Sequence, residues 1–188
     1  IKKKYSGRKI IYSLGRLIYY KGYEYLIDAA SYLDDSYIIL IGGGGPMYTL
    51  LQEQIKDKGL EEKVKLLGRV ADDMMSKYYQ ACDLFCMSSI ERTEAFGIAQ
   101  IEAMSFGKPI VATKIPGSGV AWVNEDGVTG INVECRDSKG LAMAFKQILS
   151  DDALYHKLSL GALVRYQTLF TKKNMIDNVL TIYEKMLR

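Results

Sequence analysis

The sequence predicts an α/β protein: a Rossmann-like, doubly wound parallel sheet of about six strands, followed by a helical C-terminal tail. Three observations lead to this fold class. Short, almost wholly apolar runs recur along the chain, as expected for strands that helices cover on both faces. Segments with helical spacing of apolar residues alternate with these runs. Glycine-rich or polar loops follow the runs, and strands that alternate with helices form parallel sheets.

The six candidate strands are runs of four to six residues. They span residues 9–14, 37–41, 64–67, 83–87, 110–113 and 130–133. Helical patterns occupy residues 23–33, 46–58, 72–81 and 97–106, a short piece at 121–123, and nearly everything after 138. We expect breaks near 150–151 and 170–171, and we divide the chain into a domain of residues 1–170 and a terminal helix of residues 171–188.

Local signals fix some helix ends and packing contacts. Asp72, Asp151 and Thr171 are predicted to cap the helices that follow them, because short polar side chains accept hydrogen bonds from the first turn. Pro46 suits a first helical turn. Trp122 is expected to pack its short helix onto the sheet.

Composition limits the class of protein. The 188 residues are 48% hydrophobic and 25% charged, as in one soluble globular domain or slightly more. The net charge of +3 is too small to indicate nucleic-acid binding. The three cysteines lack zinc-finger spacing and fit a reducing cytoplasm. We expect a cytoplasmic location. Lys2–Lys4 form a solvated end of the chain, or they touch anionic lipid headgroups at the inner face of the membrane. We also expect that the chain is cut from a longer protein.

The stretch 93–109, TEAFGIAQIEAMSFGKP, is the strongest local signal. Glu94 is predicted to lie in a strand-to-helix loop, and Glu102 in the first two turns of the next helix. A helix start presents unpaired N–H groups and a partial positive charge, which suit a phosphate. The two carboxylates could hold sugar and ribose hydroxyls. The alternative is a plain loop with two solvated glutamates.

Other unusual residues follow the remaining strands, and ligands of such sheets bind at the carboxyl ends of the strands. Arg16 and Lys21 can neutralise a diphosphate, or they are ordinary surface cations. Arg69 and Val70 could read a nucleobase edge, or form a simple strand end. Residues 42–45 are four glycines that lack the spacing of a phosphate loop, so we interpret them as a tight turn that a neighbouring loop or ligand approaches.

Metal chemistry is not predicted. His156 is the only histidine and lies in the helical tail, and the sequence has no cysteine cluster and no D-x-D run. We therefore expect no metal and no cofactor.

Taken together, these motifs resemble a known family. They are Gly15-Arg16, Lys21-Gly22, residues 42–46, Gly68-Arg69-Val70, the Glu94 and Glu102 motifs, residues 107–109, and residues 125–130. The chain resembles the C-terminal, donor-binding domain of a retaining glycosyltransferase of the GT-B fold, in family four, group 1. The resemblance covers nearly the whole chain. Its specific part is the E-x7-E spacing with the upstream arginine and lysine.

The resemblance implies roles for individual residues. Arg16 and Lys21 would hold the donor diphosphate, and Glu94 the hydroxyls of the transferred sugar; these three form the implied catalytic set. The implied donor-binding residues are Arg69, Val70, Phe96, Gly97, Ile98 and Glu102. The helix after residue 171 would cross back toward an N-terminal acceptor domain. One departure is residues 116–122, which lack the acidic residue that the family often carries there.

The implied activity is transfer of a hexose, with retention, from a UDP- or GDP-sugar to a saccharide or lipid-linked acceptor in bacterial cell-surface polysaccharide synthesis. Stabilisation of the leaving diphosphate would be electrostatic and metal-free. We expect the fragment alone to transfer nothing, and the full protein to associate peripherally with the membrane. The alternatives are a non-catalytic nucleotide-binding or scaffold domain, a GT-B-like nucleotide-sugar epimerase half, and a phosphorylase. The epimerase would need acid/base residues in the cleft, where no histidine is available, and no motif marks a phosphorylase's cofactor lysine.

Overall fold

The computed structural model describes residues 1–187 and contains one six-stranded sheet in which every strand pair is parallel. The strands are β1 Lys9–Leu14, β2 Tyr37–Gly42, β3 Val64–Gly68, β4 Leu84–Met87, β5 Ile110–Lys114 and β6 Gly130–Glu134. The predicted fold class and all six predicted strands are confirmed, with ends that differ by one residue at most.

The strand order is β3-β2-β1-β4-β5-β6, so the sheet grows outward in both directions from its centre. β1 pairs with β2 on one side and with β4 on the other. The order therefore reverses between β1 and β4, which makes this gap the topological switch point of the sheet. Ligands of doubly wound sheets bind in the crevice at such a point, outside the carboxyl ends of the strands.

Eight α-helices lie among the described residues. They are α1 Tyr23–Ala29, α2 Tyr48–Asp57, α3 Asp72–Ala81, α4 Ile98–Ser105, α5 Val120–Val123, α6 Ser138–Ser150, α7 Asp152–Arg165 and α8 Lys172–Met186. A 3-10 turn, Tyr19–Lys21, precedes α1, a second, Ala30–Tyr32, follows it, and a π-helical segment, Tyr166–Phe170, follows α7.

The helix-end predictions were partly right. The side chains of Asp151 and Thr171 accept hydrogen bonds from Leu154 N and Asn174 N, as predicted. Asp72 was predicted wrongly, because it is the first residue of α3 and its side chain caps nothing. The prediction for Pro46 was also wrong, since α2 begins at Tyr48.

Helices cover both faces of the sheet and form two apolar layers. One layer joins β1 and β2 to α1, α2 and α6, and includes Ile11, Leu26, Ile39, Leu51 and Phe145. The other joins the sheet to α3, α4 and α5, and includes Tyr12, Tyr79, Phe85, Met104 and Val120. Helix α7 contributes Leu158 to the first layer and Ala162 to the second. Both faces of the central strands are therefore buried against apolar side chains. Polar chemistry is left to the ends of the strands, where the loops begin.

The glycine run after β2 packs against the loop after β1. A Cβ on Gly43, whose φ is +140°, would lie 1.8 Å from the carbonyl oxygen of Gly15. A Cβ on Gly45 would lie 2.4 Å from the carbonyl oxygen of Leu17. The interpretation of the run as a turn approached by a neighbouring loop is confirmed, and the close approach requires glycine.

Helix α8 presents an apolar stripe to solvent. Its exposed apolar residues are Met175, Ile176, Val179, Leu180, Ile182, Tyr183 and Met186. Within residues 1–187, no helix has the length and apolar character needed to cross a bilayer.

Candidate functional site

The loops that follow the first five strands meet at one edge of the sheet. Each begins where a parallel strand ends, so the loops after β1, β2, β3, β4 and β5 share the carboxyl edge. The loops after β1 and β4 lie on either side of the switch point. The residues singled out in the sequence therefore share one edge, and the two loops that carry Lys21 and Glu94 are neighbours.

Backbone contacts join the loops after β1 and β4. Ile90 N donates to Tyr20 O at 2.8 Å, and Ser88 Oγ donates to Lys21 O at 2.9 Å. Gly22 fits between them, because a Cβ there would lie 2.3 Å from the carbonyl oxygen of Ser88. The relative position of the two loops is thus fixed by the chain itself.

Lys21 and Glu94 form an ion pair across this junction. Lys21 Nζ lies 2.5 Å from Glu94 Oε2, and the two side chains are only 14% and 11% exposed. Ser89 Oγ donates a second hydrogen bond to the same carboxylate oxygen at 2.9 Å. Charged groups this poorly hydrated need a partner, so each side chain fixes the position of the other.

The pair keeps hydrogen-bonding capacity for a ligand. An ammonium has three N–H donors, and the structure gives Lys21 Nζ one hydrogen-bond acceptor among the described residues. The Oε1 atom of Glu94 accepts no hydrogen bond from the described residues. Lys21 can therefore bind an anion, and Glu94 a hydroxyl, without breaking their mutual contact.

The amino end of α4 opens at the same place. Its N-cap is Gly97, with φ +76°, and no side chain caps the helix. A Cβ on Gly97 would lie 2.6 Å from Met87 Sδ, so the turn requires glycine for space as well as for its φ. Phe96 and Ile98 on either side are exposed. The uncapped N–H groups and the helix dipole make this end suitable for a phosphate.

Glu102 lies in the second turn of α4, as predicted. Its Oε2 accepts a hydrogen bond of 2.7 Å from the hydroxyl of Tyr79 on α3. Burial, and then this hydrogen bond, raise the pKa of Tyr79 well above its usual range, so the phenol stays protonated and remains a donor. Glu102 itself is exposed, which leaves its second carboxylate oxygen for ligand hydroxyls.

The remaining predicted residues lie on the loops after β1 and β3. Arg16 is exposed, and its side chain has no hydrogen-bond or ion-pair partner within residues 1–187. Arg69 is also exposed. Val70 Cγ2 lies 2.8 Å from where a Cβ on Gly42 would be, so Val70 packs over the end of β2.

Sequence reasoning missed the residues that hold the glutamates. Ser89, Ser118 and Tyr79 contact Glu94 or Glu102, and none was singled out. One signal was available for Ser89: Ser88-Ser89 are polar residues that directly follow a wholly buried strand.

The expectation for Trp122 was wrong. Its side chain lies away from the sheet, 55% exposed, with its ring centroid 5.8 Å from that of Phe96.

Among the described residues, no group of three His, Cys, Asp or Glu side chains is arranged to hold a metal ion. The site consists of cations, carboxylates, backbone N–H groups and aromatic side chains.

The family model described as "Glycosyl transferases group 1" matches residues 1–162. The chain belongs to the group 1 glycosyl transferases. This glycosyltransferase chain is 28% identical to the O-antigen chain mannosyltransferase C of Escherichia coli, over 96% of its own length and 48% of that protein. It therefore spans about half the length of this curated relative.

Solved structures agree with this placement. The chain superimposes on Anabaena HepE, solved in complex with UDP, with a TM-score of 0.90 and 26% identity, covering 98% of the chain and 50% of HepE. It also matches the C-terminal domain of the group 1 protein LpcC from Francisella tularensis, with a TM-score of 0.78 and 24% identity, covering 91% of the chain and 90% of that domain. This glycosyltransferase chain thus corresponds to the C-terminal half of GT-B glycosyltransferases.

Proposed function

We propose that this chain is the donor-binding half of a retaining glycosyltransferase that uses a nucleoside-diphosphate hexose, UDP- or GDP-linked. The observation that carries the proposal is the buried Lys21–Glu94 pair at the switch point, beside the uncapped start of α4. A cation, a helix start and a fixed carboxylate meet there, which are the groups that a diphosphate and a sugar need. HepE supports the proposal, because this relative of similar fold has been solved with UDP and with UDP-glucose.

In the proposed reaction, the bond between the sugar's anomeric carbon and the diphosphate breaks while an acceptor hydroxyl oxygen bonds to that carbon and passes its proton to the departing diphosphate. Negative charge develops on the departing diphosphate. Lys21, Arg16 and the N–H groups after Gly97 stabilise it electrostatically, without a metal or cofactor. Glu94 holds hydroxyls of the transferred sugar, and Glu102 the ribose hydroxyls. Retention is carried over from the family resemblance.

The remaining residues complete the donor site. Arg69 and Val70 lie beside the base, and the backbone of Phe96, Gly97 and Ile98 faces the sugar and phosphate. We divide the chain into residues 1–170, which bind the donor, and residues 171–188, which pack toward an acceptor-binding half. The exposed apolar stripe of α8 and the half-length match to relatives support this division.

The acceptor is a saccharide or lipid-linked saccharide in bacterial cell-surface polysaccharide synthesis, at the cytoplasmic face of the membrane. The mannosyltransferase of E. coli, whose name refers to the O-antigen chain, supports this assignment.

Titration calorimetry of this chain with UDP, GDP and their hexose derivatives tests the proposal. We expect weak binding of at least one nucleotide, and no sugar transfer by this chain alone. A folded sample that binds neither UDP nor GDP would overturn the donor-site assignment.

A further inference from the structure

A partly exposed aromatic cluster lies beside the site loop, and its rings have no part in the proposed chemistry. It consists of Phe96, Trp122 and Phe170, with ring centroids 5.7 to 6.1 Å apart. Phe96 belongs to the loop that carries Glu94, Trp122 to α5, and Phe170 to the end of the π-helical segment before α8. Three distant parts of the chain therefore converge next to the candidate site.

Arg165 contacts this cluster through α5, the helix that carries Trp122. Its Nη2 donates to Trp122 O at 2.6 Å, its Nε donates to Val123 O at 3.0 Å, and its Nη1 pairs with the carboxylate of Glu125. The guanidinium carbon lies 5.3 Å from the centroid of the Trp122 ring. The side chain is only 14% exposed. Because each of the three nitrogens of the planar guanidinium has a partner, Arg165 holds the C-terminal end of α5 in one orientation.

The other end of α5 holds the loop that carries Glu94. The N–H of Gly119, the N-cap of α5, donates to Ala95 O at 2.8 Å. Ser118 Oγ donates to the carbonyl oxygen of Glu94. The ring of Phe96 lies directly on Gly119, where a Cβ would be 3.0 Å from Phe96 Cδ2. The backbone carbonyls of Glu94 and Ala95 are thus attached to the start of α5.

A buried glutamine completes the connection. Gln100 on α4 is fully buried, and its Nε2 donates to Phe96 O at 3.1 Å and to Val120 O at 3.2 Å. Because one side chain contacts the loop, α4 and α5 together, a displacement of α5 displaces the loop and strains the start of α4.

We propose that Arg165 is a positioning residue for residues 94–97, acting through α5 and touching neither donor nor acceptor. The expected effect on donor binding rests on the proposed function. The expected effect on the position of residues 94–97 rests only on the contacts above. Phe170, which contacts both Phe96 and Trp122, extends the same network to the segment that leads into α8.

Hydrogen exchange of the unliganded chain tests the geometric part. In Arg165→Met, amides in residues 91–100 should exchange about tenfold faster than in the wild type, because local opening becomes easier. The matched control is Arg8→Met. Arg8 donates hydrogen bonds to three backbone carbonyls, those of Asp35, Glu62 and Tyr37, at the opposite edge of the sheet. This control should leave exchange in residues 91–100 unchanged.

Calorimetry with UDP, GDP and their hexose derivatives tests the consequence in the same variants. Where the wild type binds, Arg165→Met should weaken affinity about tenfold and Arg8→Met should not, because small misplacements of binding groups are costly. Wild-type exchange rates at residues 91–100 in Arg165→Met would overturn the inference, as would unchanged affinity. If the wild type binds no nucleotide, the proposed function fails and the exchange result still decides the geometric inference.

Arg165→Lys serves if Arg165→Met does not fold. Lysine keeps the charge opposite Glu125 but cannot donate to all three acceptors in a fixed plane. Exchange at residues 91–100 should still rise severalfold, and wild-type rates in this folded variant would contradict the proposal.

Discussion

The two edges of the sheet use charged side chains in different ways. At the amino edge, Arg8 donates to three backbone carbonyls, and Asp83 Oδ2 accepts from Ile10 N at 2.6 Å. At the carboxyl edge, Lys21 and Glu94 face each other, and Arg16 has no side-chain partner within residues 1–187. Charges at the amino edge satisfy backbone groups, whereas those at the carboxyl edge keep capacity for a ligand. The comparison separates residues that hold the fold from residues that we propose to bind the donor.

The largest effect is expected from breaking the ion pair at the carboxyl edge. Lys21→Met leaves the Glu94 carboxylate largely buried with only Ser89 as a partner, and should lower the free energy of unfolding by about 3 kcal/mol. Urea denaturation measures this change. Lys58→Met is the control. Lys58 pairs with Asp28, the two side chains are 43% and 36% exposed, and the pair should contribute about 1 kcal/mol or less to the free energy of unfolding. Equal losses in the two variants would show that the buried pair is not special.

A comparable loss of stability is expected from a methyl group between the loops. Gly43→Ala places a Cβ 1.8 Å from Gly15 O in a backbone conformation that only glycine adopts easily, and should cost about 2–3 kcal/mol. Gly44→Ala has open space around its Cβ and should cost about 1 kcal/mol at most. Thermal unfolding of both variants checks the difference. Similar melting temperatures would mean that the loop after β2 is not packed as described.

Changes at Glu102 and its partner Tyr79 should weaken nucleotide binding rather than lower stability. Glu102→Ala should weaken nucleotide binding by about 1.5–3 kcal/mol, the value of hydrogen bonds to a charged group. Tyr79→Phe leaves the carboxylate in place and removes only the hydroxyl that orients it, so about 1 kcal/mol is expected. Calorimetry with UDP and GDP gives both numbers. A scaffold domain would show no loss of affinity in either variant.

The smallest effect is expected at the amino edge. Asp83→Asn weakens the hydrogen bond from Ile10 N and should lower the free energy of unfolding by about 1 kcal/mol, without altering nucleotide affinity. Chemical denaturation and calorimetry on the same sample check both parts. A change in affinity would break the division between the two edges.

The fold could be predicted from the sequence because its signals are local. Each strand is a short apolar run, and the loop after each carries glycine or charge, so β1 to β6 and their shared edge followed directly. The placement of Glu94 and Glu102 followed from one strand and one helix pattern.

Contacts between elements could not be predicted in the same way. Tyr79 and Glu102 lie 23 positions apart on two helices, and their hydrogen bond depends on how α3 and α4 are rotated against the sheet. Trp122 was predicted to face the sheet because large apolar side chains usually do. In the structure Arg165, 43 positions away, holds α5 so that this ring meets Phe96 and Phe170.

The most direct test is amide NMR of this chain during titration with UDP and GDP. We predict that shift changes cluster in residues 15–22 and 94–102, and that amides of residues 8–10, 35–37 and 83 stay unchanged. Shift changes concentrated at the amino edge, or none with either nucleotide in a folded sample, would contradict the account.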